Sequence, residues 1–215
     1  MNRVRVKICG VRSFEEARAA IDAGADALGF NFWPQSPRYI PPESARELIQ
    51  AMTPFVACVG VFVNESADRI RELASHLGLS AVQLHGDELP EFCAGLDSLK
   101  IIKAFKVGSG FDLKDINAYR VNAILLDTGV KGSYGGTGKR FDWQVAIEAK
   151  RYGPMILAGG LNEENVAEAI ERVQPMAIDV CSGVEAEPGR KDLDKLRSFM
   201  AAVGRANDSI AEWIV

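Results

Sequence analysis

Val56-Ala57-Cys58-Val59-Gly60-Val61-Phe62 carries no polar side chain at any position, and this run decides the fold. A strand with one face in water alternates apolar and polar residues. A run that is apolar on both faces is covered on both, as in a parallel sheet wrapped by helices. Ala123-Ile124-Leu125-Leu126 reads the same way.

Working outward, each short β-branched run ends on a polar or glycine stop and is followed by a helical stretch. Val4 to Cys9 leads to Ser13, a helix N-cap with Glu16 completing a capping box, and the helix closes at Gly24. Ala27 to Phe32 precedes a polar-aromatic loop, Trp33 to Tyr39, and a helix opening after Pro41-Pro42. Val56 to Phe62 precedes a helix from Ser66 to Gly78, and Ala81 to His85 a short helix from Leu89 to Ala94. Lys100 to Val107 is the fifth strand, and the helix after Gly108-Ser109-Gly110 has the weakest pattern. Asn122 to Asp127 leads through a glycine-rich loop to a helix from Asp142 to Tyr152. Met155 to Ala158 is followed by a helix capped by Asn162 and running to Val173, and Ala177 to Val180 by a last helix starting near Asp192.

Eight strands with eight crossovers place the chain in the α/β class and select a closed (β/α)8 TIM barrel in a single domain, with a doubly wound open sheet as the alternative. The barrel is expected over residues 1–205, with residues 206–215 as a C-terminal tail.

Composition narrows the function. The 215 residues are 47% hydrophobic and 25% charged, the balance of an ordinary globular protein. A net charge of −4 with no basic run argues against a nucleic-acid partner. Cys9, Cys58, Cys93 and Cys181 are widely spaced and only two histidines accompany them, so no structural metal site is expected. Scattered thiols, no secretory leader and a longest apolar run, Phe55 to Val63, of half a membrane span give a cytoplasmic protein with no membrane partner as the expectation.

In either architecture the active site lies at the carboxyl ends of the strands, where Cys9, His85, Asp127, Gly159 and Asp179 all fall. Cys9 precedes Gly10, and Lys7, two residues back, shares its face and favours the thiolate. Asp127 ends an apolar run in which a carboxylate serves no packing purpose. Together Cys9 and Asp127 offer a base and an acid of different intrinsic pKa, which proton shuttling needs. Ala158-Gly159-Gly160-Leu161-Asn162 and Cys181-Ser182-Gly183-Val184-Glu185 follow strands seven and eight, the usual place of a phosphate site in such a barrel. Gly135-Gly136-Thr137-Gly138-Lys139 lacks the P-loop spacing and reads equally well as a loop.

Seven segments carry a resemblance to a known family: KICGV at Lys7 to Val11, GFNFWPQSPRYI at Gly29 to Ile40, VQLHGDE at Val82 to Glu88, LLDT at Leu125 to Thr128, GGTGKRFDW at Gly135 to Trp143, LAGGLNEENV at Leu157 to Val166 and DVCSGVE at Asp179 to Glu185. In this order they resemble phosphoribosylanthranilate isomerase, a (β/α)8 enzyme of tryptophan biosynthesis. The resemblance implies a cofactor-free and metal-free Amadori rearrangement of a small phosphoribosyl substrate. Cys9 matches the general base and Asp127 the general acid. Arg38 matches the arginine that meets the anthranilate carboxylate, a task for a planar fork of donors. Gly159, Gly160, Ser182 and Gly183 match the phosphate-holding turns, and Lys7, Asp179 and His85 lie where substrate contacts are expected. His85 is equally readable as locally bonded.

Cys181 stands where the family pattern has serine, so a side-chain hydroxyl bond to phosphate is in doubt there. An isomerase of histidine biosynthesis shares fold and rearrangement but uses an aspartate at the first strand end, against Cys9 and Arg38. A non-catalytic phosphosugar-binding barrel remains the alternative from another class. A monomer is favoured, and residues 129–140 suit a closing lid.

Overall fold

A computed structural model of the chain describes residues 3–128 and 141–212. The expected lid and the Gly135–Lys139 stretch lie outside them. Among the described residues, β1 (Arg5–Cys9), β2 (Ala27–Asn31), β3 (Ala57–Phe62), β4 (Ala81–Leu84), β5 (Ile101–Val107), β6 (Ala123–Thr128), β7 (Met155–Leu157) and β8 (Ala177–Val180) pair in sequence order into a closed parallel barrel. Closure comes from β1 against β8, with Lys7 opposite Asp179 and Ile8 opposite Val180. The open-sheet alternative is thereby excluded.

Seven helices surround it: α1 (Phe14–Asp22), α2 (Pro42–Gln50), α3 (Ala67–Leu77), α4 (Pro90–Ala94), α5 (Trp143–Ala149), α6 (Val166–Val173) and α7 (Leu193–Glu212), counted among the described residues. The crossover from β5 to β6 is instead a 3-10 turn, Leu113–Ala118, started by Asp112 accepting from the Lys114 amide. That is the segment with the weakest helical pattern.

Strand parity sorts the side chains into two cores. Leu28, Phe30, Leu84, Leu126, Leu157 and Ile178 point outward into the layer shared with the helices. Ala104, Ala123, Leu125, Ile156, Ala158 and Ala177 point inward and form a separate cluster that fills the barrel. One step further along the same inward rows stand Lys7, Cys9, Gln83, Asp127 and Asp179, so the interior turns from apolar to ionisable toward the carboxyl ends.

Two details depart from the expected boundaries. Glu16 does not close its own capping box: Ser13 caps the Glu16 amide, while the Glu16 carboxylate accepts from Arg12 N and from Lys191 N, both at 2.8 Å. The last helix also runs past residue 205. Ala206 is buried, and Asn207 exchanges two hydrogen bonds with the Val4 backbone, accepting at 2.8 Å and donating at 3.1 Å. This part of the expected tail therefore continues the barrel helix and ties it to the first strand. No described helix is long and apolar enough to cross a membrane.

Candidate active site

At the carboxyl end of the barrel, Cys9, Arg38, His85, Asp127, Asp179, Gly159, Gly160 and Ser182 line a single pocket of about 650 Å³, part of it open to solvent. The two remaining expected residues stand just behind the wall. Lys7 is buried beneath Asp179, and Gly183 packs against the Leu161 backbone, where any side chain would collide.

The β1–β8 side of the pocket is dense with charge. Lys7 Nζ donates to Asp179 Oδ1 at 2.8 Å, with both side chains more than nine-tenths buried. A Cβ on Gly29 of the neighbouring strand would stand 2.9 Å from Cys9 Sγ and 3.0 Å from Lys7 Nζ, so only glycine lets the thiol and the ammonium share that space. Cys9 and Cys181 follow Ile8 and Val180 in register, which brings the two thiols together.

A hydrogen bond from Cys181, with the cations of Lys7 and Lys191, holds the Cys9 thiol well below its ordinary value against the opposing effect of burial. Cys181 is correspondingly pushed up, first by the same contact and then by desolvation, which favours the thiolate on Cys9 over Cys181. Desolvation raises Asp179 to about 6, with Lys7 pulling the other way. Burial opposes the ammonium form of Lys7, but Asp179 and Cys9 outweigh it and raise the group.

Across the barrel, the acid side is sparsely bonded. Asp127 Oδ1 accepts from the Thr128 amide at 2.7 Å, and Oδ2 lies 3.4 Å from His85 Nε2. The other ring nitrogen of His85 meets Gln83 Nε2 at 2.8 Å. Gln83 faces inward two residues before His85 on the same row; it stood within the VQLHGDE segment but had no assigned role.

Arg38 sits on the loop after β2, which Asn31 and Ser36 shape: Asn31 Oδ1 accepts from Trp33 N, and Ser36 Oγ accepts from Asn31 Nδ2 and from Arg38 N. Its guanidinium donates to Glu185 through Nε at 2.9 Å and Nη2 at 2.8 Å. Lys191, fully buried on a two-stranded ribbon, donates to the same carboxylate at 3.2 Å. Burial opposes ionisation of Glu185, yet Arg38 and Lys191 hold its carboxyl below the usual range. Glu185 stood within a recognised motif but had no assigned role, and Lys191 had no motif at all.

Gly159 and Gly160 both take positive φ, 86° and 66°, which turns the chain sharply after β7. Asn165 holds that turn, donating to Gly160 O at 2.9 Å and accepting from Asn162 N at 3.0 Å. Asn162 in turn accepts from the Glu164 and Asn165 amides, so it caps a turn preceding α6 rather than the helix proper. After β8 a second turn, Ser182–Val184, lies against the first through Gly183 and Leu161.

The family model for N-(5'-phosphoribosyl)anthranilate isomerase matches residues 6–202. The N-(5'-phosphoribosyl)anthranilate isomerase of Geobacter metallireducens is 52% identical over 197 residues, covering 92% of this chain and 97% of the relative. The crystal structure of phosphoribosyl anthranilate isomerase from Thermotoga maritima superposes with a TM-score of 0.88 at 46% identity, covering 94% of this chain and 99% of that one. A crystal structure of phosphoribosyl anthranilate isomerase in complex with reduced 1-(o-carboxyphenylamino)-1-deoxyribulose 5-phosphate matches with a TM-score of 0.84 at 44% identity, with coverage of 94% and 99%. The match spans the whole barrel, and by it the chain belongs to the N-(5'-phosphoribosyl)anthranilate isomerase family.

Proposed function

We propose that Cys9 and Asp127 carry out the family's Amadori rearrangement as general base and general acid. The substrate is N-(5'-phosphoribosyl)anthranilate and the product 1-(2-carboxyphenylamino)-1-deoxyribulose 5-phosphate. One observation carries the assignment: the two side chains end inward-facing rows on β1 and β6 and line the same pocket from different sides.

Asp127 gives a proton to the ring oxygen as the furanose C1–O bond breaks, leaving an iminium at C1. That cation withdraws electrons from C2, and the Cys9 thiolate takes the C2 proton to give an enol-amine. Its ketonisation yields the aminoketose, so no atom is gained or lost. A thiolate held beside Lys7 is already deprotonated when substrate arrives, which is the state the step requires.

The anthranilate carboxylate meets Arg38, and the phosphate meets the turns of Gly159, Gly160, Ser182 and Gly183. Asp179, steadied by Lys7, faces the ribose hydroxyls, and His85 contacts the substrate beside Asp127. All of these groups come from one chain, and the proposed catalytic unit is a monomer acting in the cytoplasm, where scattered thiols stay reduced.

The test is the loss of substrate fluorescence on freshly generated phosphoribosylanthranilate. Cys9→Ala and Asp127→Asn should each lose about 10²–10⁴-fold in kcat, the usual worth of a positioned acid or base. Activity retained by either variant removes that residue from its role.

A further inference from the structure

Arg38 does not face the pocket as a loose cation. Its backbone amide is held by Ser36 Oγ at 3.1 Å, and its aliphatic stem lies on Gly10, where a Cβ would stand 3.1 Å from Cδ. Its head is forked onto Glu185, with the two side chains 13% and 4% exposed. A guanidinium offers two planar edges, Nε with Nη2 along the side and Nη1 with Nη2 at the end. Glu185 takes the side edge through both its oxygens. The end edge is the one left for a second planar anion.

Charge would defeat this arrangement if the pair stood alone, because a neutral Arg–Glu pair attracts a carboxylate only weakly at a distance. Lys191 changes the sum. Its ammonium, with no exposed surface, donates to Glu185 Oε1 at 3.2 Å and to Cys181 O at 3.2 Å. Arg38 and Lys191 together balance the Glu185 carboxylate and the Cys9 thiolate, so the cluster turns no net negative charge toward the pocket. Glu185 Oε1 also lies 3.6 Å from Cys181 Sγ.

We infer that Glu185 is a positioning residue, which turns the end edge of Arg38 toward the carboxylate of the substrate's aromatic ring, while Lys191 offsets the negative charge that Glu185 brings. This rests on the reading of Arg38 as the carboxylate-binding residue. A purely electrostatic role for Glu185 has the opposite sign, since removing a negative charge would draw the substrate acid in more tightly.

The experiment compares phosphoribosylanthranilate with its analogue lacking the carboxylate, phosphoribosylaniline, in wild type, Arg38→Gln, Glu185→Gln and Glu185→Asp. Wild type prefers the acid, and Arg38→Gln loses that preference. Glu185→Gln loses at least about tenfold of it, as expected when a charge-assisted donor pair is misaligned, and does so through KM, so that the acid loses more than the aniline substrate. Glu185→Asp keeps the charge but draws the fork back by one methylene, so it too loses preference. It is read by the same ratio if the glutamine variant does not fold.

The inference is overturned if Glu185→Gln keeps the wild-type preference, lowers KM for the acid, or slows both substrates alike as a merely structural residue would. If Arg38→Gln itself keeps the preference, the Arg38 reading falls and this inference falls with it.

Discussion

Two buried lysine–carboxylate pairs stand on opposite faces of the same barrel wall. Lys103 and Glu88 meet at 2.7 Å on the outer side, and Lys7 and Asp179 at 2.8 Å on the inner side, each with both partners more than nine-tenths buried. Their surroundings differ. Lys103 also donates to Gly86 O at 2.9 Å, and Glu88 accepts from the amides of Asn64 and Gly86 as well as from Lys103. Every strong bonding direction is used, and the loops after β3 and β4 are locked together. Lys7 and Asp179 have each other and the Cys9 thiol, and Asp179 opens on the pocket. A saturated buried pair fixes structure, whereas an unsaturated one keeps bonding capacity for a substrate.

The sharpest break in the comparison is Glu88→Gln. It leaves the Lys103 ammonium buried without its counter-charge, and removing one partner of such a pair costs about 3–5 kcal/mol. Chemical denaturation should show that loss, with kcat at a temperature where the variant is folded close to wild type. A catalytic defect without a stability defect would place Glu88 on the wrong side of the comparison.

Lys7→Met is the matching change on the inner face. It removes the cation beside the thiolate and strips Asp179 of its partner, so the Cys9 thiol should rise toward its ordinary value and the Asp179 carboxyl above about 6. About a hundredfold loss of kcat/KM at neutral pH is expected from a less ionised base together with an Asp179 no longer held by its cation. The stability change should be smaller than for Glu88→Gln, because Asp179 can take up a proton. A variant that unfolds while its folded fraction retains full rate would make Lys7 a structural lysine like Lys103.

Legibility in the sequence followed the same division. The strands were readable because apolar residues on both faces have one common explanation, and Cys9 and Asp127 stood out as reactive groups ending such runs. Glu185 and Lys191 did not stand out. Glu185 is 147 positions from the arginine it aligns, and only the β1–β8 closure brings their loops together. Glu16 misled in the opposite direction: its spacing from Ser13 satisfied a local rule, but its carboxylate is used 175 positions away at Lys191 N. The β5–β6 crossover became a 3-10 turn where the helical pattern was weakest, so that irregularity was written locally. What the sequence conceals is the partner choice of long polar side chains, which propensity and periodicity do not encode.

The smallest expected effect probes the one departure from the family pattern. Cys181 gives Cys9 the leading contribution to its lowered pKa, with Lys7 and Lys191 adding to it. Peptide-resolved alkylation of Cys9 against pH reads the thiolate directly. An unperturbed thiol near 8.5 would gain thiolate roughly 25-fold between pH 7 and pH 9. In wild type the Cys9 rate should be nearly flat across that interval, because the group is already ionised. Cys181→Ala removes the hydrogen bond but leaves both lysines, so the rise should reappear in part, with less than about a tenfold loss of thiolate at pH 7. Cys181→Ser keeps a donor and should stay close to wild type. A flat profile in Cys181→Ala would show that the lysines alone hold the thiolate, and the two thiols would then be neighbours without consequence for the base.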